Sequence, residues 1–173
     1  RMESLVQDLL LLTQLESNPV PPEMDGINMN EVIRNACNEV QGLLAESDKI
    51  SIVNDCDKPI KGIATELNSL CTNLISNAVR YSPDGADIEI SWTSLSDSKA
   101  RLSVKDSGIG IAKEHIDRIT ERFYRVDMKD SRARGGTGLG LAIVKHVLRR
   151  HNSELEVKSR VNEGSLFYCD FEL

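Results

Sequence analysis

Four glycines stand within six positions of the segment RARGGTGLGLAIVKHVLRR, residues 132–150. Two arginines precede them, and an amphipathic run follows. A glycine-rich turn that opens a helix points its backbone N–H groups outward, and the helix dipole favours negative charge there. The segment therefore predicts a phosphate-binding turn. A helix start whose glycines provide only flexibility is the alternative that these residues alone leave open.

The common nucleotide motifs do not account for this turn. A Walker loop requires a glycine followed by Lys and then Ser or Thr, and no glycine here is followed in that way. The dinucleotide fingerprint would need glycine at the positions of Leu141 or Ile143. The H-R-D and D-F-G signatures of eukaryotic-type protein kinases are also absent from the sequence. The phosphate ligand must therefore be inferred from the rest of the chain.

A polar stripe runs along the predicted helix ATELNSLCTNLISNAVRYS. Asn73, Arg80 and Tyr81 lie four residues before, three after and four after Asn77, which places all four on one helical face. Asn is unfavourable inside a helix, so two of them with a cation one turn later point to a function. An Asn oxygen can ligate Mg²⁺ while phosphates and water supply the other ligands. A solvated polar face is the alternative.

Two shorter segments carry further candidates. DSGIG, residues 106–110, ends a predicted strand, and its Asp could accept a hydrogen bond from an exocyclic amine such as that of adenine. By itself such a segment is more often an ordinary turn. ERFYRVD, residues 121–127, places two aromatic residues before Arg125 in an otherwise polar stretch, which alone would also suit a helix end with one aromatic anchor in the core.

In this order and at these separations, the four segments resemble the N, G1, F and G2 boxes of bacterial sensor histidine kinases. Their nucleotide-binding fold, the Bergerat fold, is shared with DNA gyrase. The resemblance covers residues 27–173, and TERFYRVD with GLGLAIVKH most resembles the phosphate-regulon sensor kinases. One departure is Thr120, where most of the family places Phe. It concerns packing at the hinge of a loop rather than the nucleotide boxes.

The resemblance implies that the first two boxes bind Mg²⁺ and ATP. Asn77 is expected to ligate Mg²⁺, and Asn73 to lie beside the phosphates. Arg80 is expected to contact a phosphate, and Tyr81 to pack near the sugar and phosphates. Asp106 is expected to bind the adenine amine, with the neighbouring glycines shaping the base pocket.

The resemblance also implies a mobile lid over residues 124–135. Tyr124 and Arg125 would lie on it, with Arg125 reaching the γ-phosphate and acting, together with Asn73, as a catalytic residue. Its basic residues are Lys129, Arg132 and Arg134, of which Lys129 is better explained by ordinary solvation. The implied nucleotide-binding residues are Asn73, Asn77, Arg80, Tyr81, Asp106, Gly108, Gly110, Ile111, Tyr124, Arg125, Gly136, Thr137, Gly138, Leu139, Gly140 and Leu141.

The implied activity is phosphoryl transfer rather than hydrolysis. Bergerat-fold ATPases place a water-activating Glu where this chain has Asn73, which cannot act as a base. In sensor kinases the acceptor is a His on the first helix of a dimerising hairpin. RMESLVQDLLLLTQLE resembles the end of the second hairpin helix, and neither His115 nor the two later histidines has an acceptor context. The chain is therefore expected to phosphorylate only in trans. A partner-binding module, as in the anti-sigma-factor kinases, is the competing class. The heptad seam of Met2, Leu5, Leu9 and Leu12, which suits pairing with other helices, argues against it.

The implied partners are the hairpin and a response regulator. The parent protein is expected to be a homodimer in the bacterial inner membrane, with this domain in the cytoplasm. A net charge of −6 argues against nucleic-acid binding. Four scattered cysteines, Cys37, Cys56, Cys71 and Cys169, predict free thiols rather than disulfides or a zinc site.

The elements that must position these residues follow from hydrophobic periodicity. The predicted elements occur in the order helices, strand, helix, hairpin, helix, loop, helix and closing hairpin. This order predicts an α/β (α+β) two-layer sandwich. Its mixed sheet would have about five strands covered on one face by about three helices. We expect Asn30 to cap the second helix and residues 112–123 to be helical. The expected domains are a hairpin-helix remnant (1–18), a linker (19–26) and an ATP-binding domain (27–173).

Overall fold

The computed structural model describes residues 2–18, 23–83, 85–126 and 135–173. The helices are α1 (Met2–Ser17), α2 (Met29–Val40), α3 (Ala64–Arg80), α4 (Lys113–Ile116) and α5 (Gly140–Arg150), and a 3₁₀ turn at Gln41–Leu43 follows α2. The strands are β1 (Asp25–Ile27), β2 (Lys49–Asn54), β3 (Ile60–Gly62), β4 (Asp87–Ser96), β5 (Lys99–Asp106), β6 (Glu156–Arg160) and β7 (Gly164–Glu172).

The main sheet has five strands in the order β2-β4-β5-β7-β6. β2 runs parallel to β4, and the other neighbours are antiparallel, so the sheet is mixed as predicted. The predicted hairpins β4–β5 and β6–β7 are both present. β1 and β3 pair separately as a small antiparallel ribbon. Residues 25 and 26, which the sequence assigned to a linker, belong to this ribbon.

One face of the sheet carries the core. Along β4, Ile88, Ile90 and Trp92 are fully buried, whereas Glu89 between them is exposed, which is the alternation of a sheet with one solvated face. The Trp92 ring meets Phe171 edge-on, with centroids 6.0 Å apart. α3 packs on this face and is flanked by α2 and α5. The two-layer architecture expected from the sequence is therefore confirmed.

The cap of α2 differs from the prediction. Asn28, not Asn30, is the N-cap, and its Oδ1 accepts a hydrogen bond from the Asn30 backbone N–H at 3.0 Å. The Asn30 side chain instead donates to the Cys56 carbonyl oxygen and to Asp57. The prediction was wrong because two asparagines stand two residues apart, and the second one has partners 26 and 27 residues away.

The helix predicted for residues 112–123 is also shorter than expected. Only α4 is helical, and it is followed by successive tight turns in which Arg118 N–H donates to His115 and Glu121 N–H to Arg118, both at 2.9 Å. The half-buried Ile116 and buried Ile119 are three residues apart, a spacing that suits such i→i+3 turns.

A buried ion pair joins distant parts of the helical layer. Arg150, at the end of α5, contacts Glu66 in the first turn of α3 at 2.9 Å, and both side chains are at most a tenth exposed. Arg150 also donates to the carbonyl oxygen of Asn18, directly after α1. Breaking one half of such a pair would leave a buried charge, so these residues fix the two helices and the chain after α1 together.

All four cysteines are free thiols, as predicted. Burial raises the pKa of Cys71 to about 12, so this thiol stays protonated at neutral pH. Within the described ranges, no helix is both long and apolar enough to cross a bilayer.

Candidate functional site

A cavity of about 620 Å³ opens beside α3 and collects the residues singled out by the sequence. It is lined by α3, by the turn after β5, by the segment after α4 and by the turn that begins α5. Of the predicted site residues, only Gly108 and Leu139 do not line it, and both are buried behind its wall. The four motifs, up to 67 residues apart between Asn73 and Gly140, therefore face one space.

The polar stripe of α3 forms the floor of the cavity. Asn73 donates from Nδ2 to the Ser69 carbonyl at 2.9 Å, one turn earlier, and its oxygen faces the first residue of α5. A Cβ on Gly140 would lie 2.6 Å from Asn73 Oδ1, so a side chain there would displace the Asn73 carboxamide. The Asn77 carboxamide has no hydrogen-bond partner within the described part of the chain. It is therefore available to a ligand.

The turn after β5 holds a buried carboxylate. Asp106 is 6% exposed, and its Oδ1 accepts a hydrogen bond from the Gly108 backbone N–H at 2.8 Å. A side chain on Gly108 would collide with the Tyr81 backbone, which explains the glycine. Burial raises the pKa of Asp106, while hydrogen bonds from the backbones of Gly108 and Ser165 oppose that rise. The carboxyl group is thus fixed as an acceptor in the cavity wall.

The segment before residue 127 is fastened to the α5 turn. Phe123 has φ +60, an uncommon backbone conformation for an aromatic residue, and its N–H donates to the Gly138 carbonyl at 2.8 Å. The Arg125 guanidinium donates to the Gly136 carbonyl. Phe123 is 56% exposed and is not a core anchor, whereas Tyr124 packs partly buried against the core, as the anchor alternative would also predict. Tyr124 and Arg125 are half-buried and line the cavity.

The glycine turn leads directly into α5. Thr137 Oγ1 accepts a hydrogen bond from the Leu139 N–H at 3.3 Å, and Leu139 is completely buried under the helix start. The turn thus opens an eleven-residue helix toward the cavity, the geometry that favours an anion. The predicted lid residues Lys129, Arg132 and Arg134 lie outside the described residues, as does all of 127–134.

α1 also lines the cavity, which sequence reasoning missed. The Asp8 carboxylate accepts a hydrogen bond from Thr137 Oγ1 at 2.7 Å, across 129 residues of chain. Eight residues later on α1, Glu16 pairs with Arg122 and lies 3.3 Å from His146. The remaining α1 residues at the cavity are Ser4, Gln7 and Leu11. No local pattern signals these contacts, because they depend on how α1 packs against α5.

α2 contributes a second group that was not predicted. Glu39 accepts hydrogen bonds from Asn68 Nδ2 at 2.8 Å and from Thr72 Oγ1 at 3.1 Å. Both partners belong to α3 and extend its polar stripe toward the helix start. This extension was detectable in the sequence, because Asn68, Thr72 and Ser76 recur every four residues.

Two curated relatives, both sensor proteins, resemble this chain over nearly its whole length. Over 172 residues it is 44% identical to the phosphate regulon sensor protein PhoR of Pseudomonas aeruginosa, covering 99% of this chain and 39% of that protein. It is 37% identical over 169 residues to the sensor-like histidine kinase SenX3 of Mycolicibacterium smegmatis, covering 96% of this chain and 44% of that protein. The chain thus spans less than half the length of these curated relatives.

Solved structures show the same fold. The mycobacterial sensor histidine kinase MprB superposes with a TM-score of 0.75 at 24% identity, over 86% of this chain and 97% of that structure. Full-length ShkA in complex with AMPPNP superposes with a TM-score of 0.83 at 23% identity, over 97% of this chain and 35% of that one. A family model described as "Histidine kinase-, DNA gyrase B-, and HSP90-like ATPase" matches residues 62–173. The chain belongs to this family of ATPase domains.

Proposed function

We propose that this chain is the catalytic, Mg·ATP-binding part of a sensor histidine kinase and donates the γ-phosphoryl group of ATP to a histidine on a dimerisation hairpin. The observation that carries this proposal is the convergence of four motif segments on one cavity whose α3 floor presents Asn73 and Asn77. Asn73 stands where Bergerat-fold ATPases place a water-activating Glu and cannot act as a base, which favours transfer over hydrolysis. The kinase names of the relatives support the same activity.

The residues at the cavity suit Mg²⁺ and a triphosphate. The Asn77 oxygen is a neutral ligand of the kind that Mg²⁺ accepts, and the metal would neutralise phosphate charge when bound. Arg80 and the N–H groups at the start of α5 would hold phosphate oxygens. Asp106 would accept a hydrogen bond from the adenine amine, with Ile111 beside the base.

Transfer would be a direct displacement at phosphorus. A ring nitrogen of the acceptor histidine would form the new bond to the γ-phosphorus as the bond to the bridging oxygen breaks and ADP leaves with the electron pair. Arg125 would act chiefly on the charge that develops on the γ-phosphoryl oxygens. In the structure the Arg125 guanidinium donates to the Gly136 carbonyl, so its positive charge lies next to the glycine turn.

At the level of the parent protein, residues 1–18 would be the end of the second hairpin helix, 19–24 a linker and 25–173 the catalytic domain, since residues 25 and 26 pair with β3. The hairpin would supply the acceptor and form a homodimer. A response regulator would receive the phosphoryl group. The similarity to a phosphate regulon sensor favours that class, with the parent protein in the bacterial inner membrane and this domain in the cytoplasm.

The test is trans-phosphorylation. The chain is incubated with radiolabelled ATP and a separately produced hairpin that carries the acceptor His, taken from the phosphate regulon relative. We expect acid-labile, base-stable label on the hairpin, no self-labelling and slow phosphate release without the hairpin. A hairpin whose acceptor His is replaced by Gln is the control. Acid-stable label, label on this chain or rapid hydrolysis would each contradict the proposal.

A further inference from the structure

One histidine with no part in the proposed transfer contacts the F-box tyrosine. His115, half-buried in α4, places Nδ1 2.6 Å from the hydroxyl oxygen of Tyr124. This is a short hydrogen bond between side chains nine residues apart. Tyr124 lines the cavity, whereas His115 does not. Within the described ranges, His115 therefore reaches the cavity lining through the tyrosine.

The same segment of chain holds Tyr124 in two further ways. The Arg118 guanidinium carbon lies 4.3 Å from the centre of the Tyr124 ring, within cation–π range. Glu121 fixes that guanidinium through two hydrogen bonds of 3.2 and 3.3 Å, and its carbonyl accepts from the Tyr124 N–H at 3.3 Å. The hydroxyl, the ring face and the backbone of Tyr124 are thus each constrained by residues 115–121.

The constraints on Tyr124 affect the position of the next residue, Arg125. Arg125 follows Tyr124 directly, also lines the cavity and donates to the Gly136 carbonyl in the phosphate turn. Because one peptide unit joins the two residues, a fixed Tyr124 limits the position of the Arg125 Cα atom and therefore the space its side chain can reach. Catalytic groups lose rate steeply when misplaced by about 1 Å.

We infer that His115 is a positioning residue for phosphoryl transfer, acting through the Tyr124 hydroxyl to place Arg125 at the γ-phosphoryl group. The inference rests on the proposed function, in which Arg125 acts in the transition state. A role in folding alone makes a different prediction. It would lower ATP binding and transfer together, and it would not depend on the tyrosine hydroxyl.

The test separates the turnover number from ATP affinity in the trans-phosphorylation reaction. We expect His115→Ala and Tyr124→Phe each to lower kcat about fivefold, the effect of one lost hydrogen bond, with the Kd for ATP changed less than about twofold. The double variant should be no slower than either single variant, because both remove the same contact. His115→Asn, whose carboxamide places a hydrogen-bonding atom at the position of Nδ1, should recover most of the rate. Lys113→Ala, an exposed residue of the same helix, is the matched control.

The outcomes are distinct for the two proposals. A wild-type chain that binds no ATP or transfers none contradicts the proposed function, and the inference falls with it. An active wild type whose kcat is unaffected by Tyr124→Phe, or whose two losses multiply in the double variant, overturns the inference alone. Tyr124→Phe removes a single hydroxyl group, so the test remains available if His115→Ala does not fold.

Discussion

α1 and α3 both border the cavity, but they are held in place by different forces. α3 buries much of its length, including Leu67, Leu70 and Leu74, under α2, α5 and the sheet. α1 buries only Leu12 and Leu15, and Met2, at its start, is 83% exposed. Apolar burial fixes α3, whereas α1 depends to a larger extent on polar contacts.

The polar contacts of α1 go to the segments that are expected to handle phosphate. Asp8 accepts from Thr137 in the glycine turn, and Glu16 pairs with Arg122 two residues before Tyr124. Regions with little buried apolar surface open at low free-energy cost. α3 therefore supplies a fixed floor for the ligand, while α1 is a wall whose attachment relies more on polar contacts. The following predictions test this difference.

The largest expected effect concerns the apolar packing of α3. Leu74→Ala should lower the free energy of unfolding by about 3 kcal/mol, because it leaves a cavity in a fully buried site. Leu10→Ala on α1, where the side chain is 60% exposed, should change it by less than about 0.5 kcal/mol. Urea denaturation followed by circular dichroism measures both. Equal losses would contradict the distinction between the two helices.

The second prediction concerns the polar face of α3. Asn77→Ala should weaken Mg·ATP binding by about 2 kcal/mol, or roughly 30-fold, because it removes a proposed metal ligand. The loss should shrink when Mg²⁺ is withheld. Titration calorimetry with and without Mg²⁺ is the measurement, and Asn38→Ala, an exposed Asn of α2, is the control. If the Mg²⁺ dependence of ATP binding were unchanged in Asn77→Ala, the polar stripe would be only a solvated helix face.

The third prediction concerns Asp106, the buried carboxylate in the cavity wall. In Asp106→Asn the amide oxygen would keep the bond to the Gly108 N–H, so its NH₂ group would face the donor amine of adenine. ATP affinity should fall about tenfold, and the preference for ATP over GTP should disappear. Calorimetry with both nucleotides tests this. Equal affinities of the wild type for ATP and GTP would show that Asp106 does not recognise the base.

The same substitution has a pH signature in the ligand-free protein. Because burial raises the pKa of Asp106, the folded state binds this proton more tightly than the unfolded state does. Its contribution to stability therefore falls as the pH rises from the ordinary Asp value of 3.8 through the raised value. Asp106→Asn should flatten that dependence in denaturant titrations at a series of pH values.

The smallest expected effect concerns the attachment of α1. Asp8→Asn keeps an oxygen for Thr137 but removes a negative charge from the phosphate side of the cavity. ATP affinity should rise about threefold at low ionic strength, and the gain should shrink as salt is added. Glu3→Gln, an exposed position on the same helix outside the cavity, makes the same change in net charge and should have no effect. A salt-independent gain would exclude charge as its cause.

Much of the fold was predictable because it depends on local periodicity. Alternation identified β4 and β5, and the 3.6-residue pattern identified α3 and α5. The prediction for residues 112–123 failed because tight turns and a helix share similar apolar spacing over so short a stretch. In the structure Ile119 joins the core and His115 contacts Tyr124, and neither contact could be read from the sequence.

The sequence by itself predicted most of the motif residues that line the cavity, since the stripe of Asn73 and Asn77 follows from helix geometry and the glycine turn from backbone sterics, whereas the predicted Gly108 and Leu139 lie outside the lining. Only the tertiary structure decided that Asp8 reaches Thr137 and that His115 holds Tyr124. The physical reason is that side-chain pairing between separate elements depends on their packing angles and offsets. Those are set by the whole core, and no local pattern encodes them.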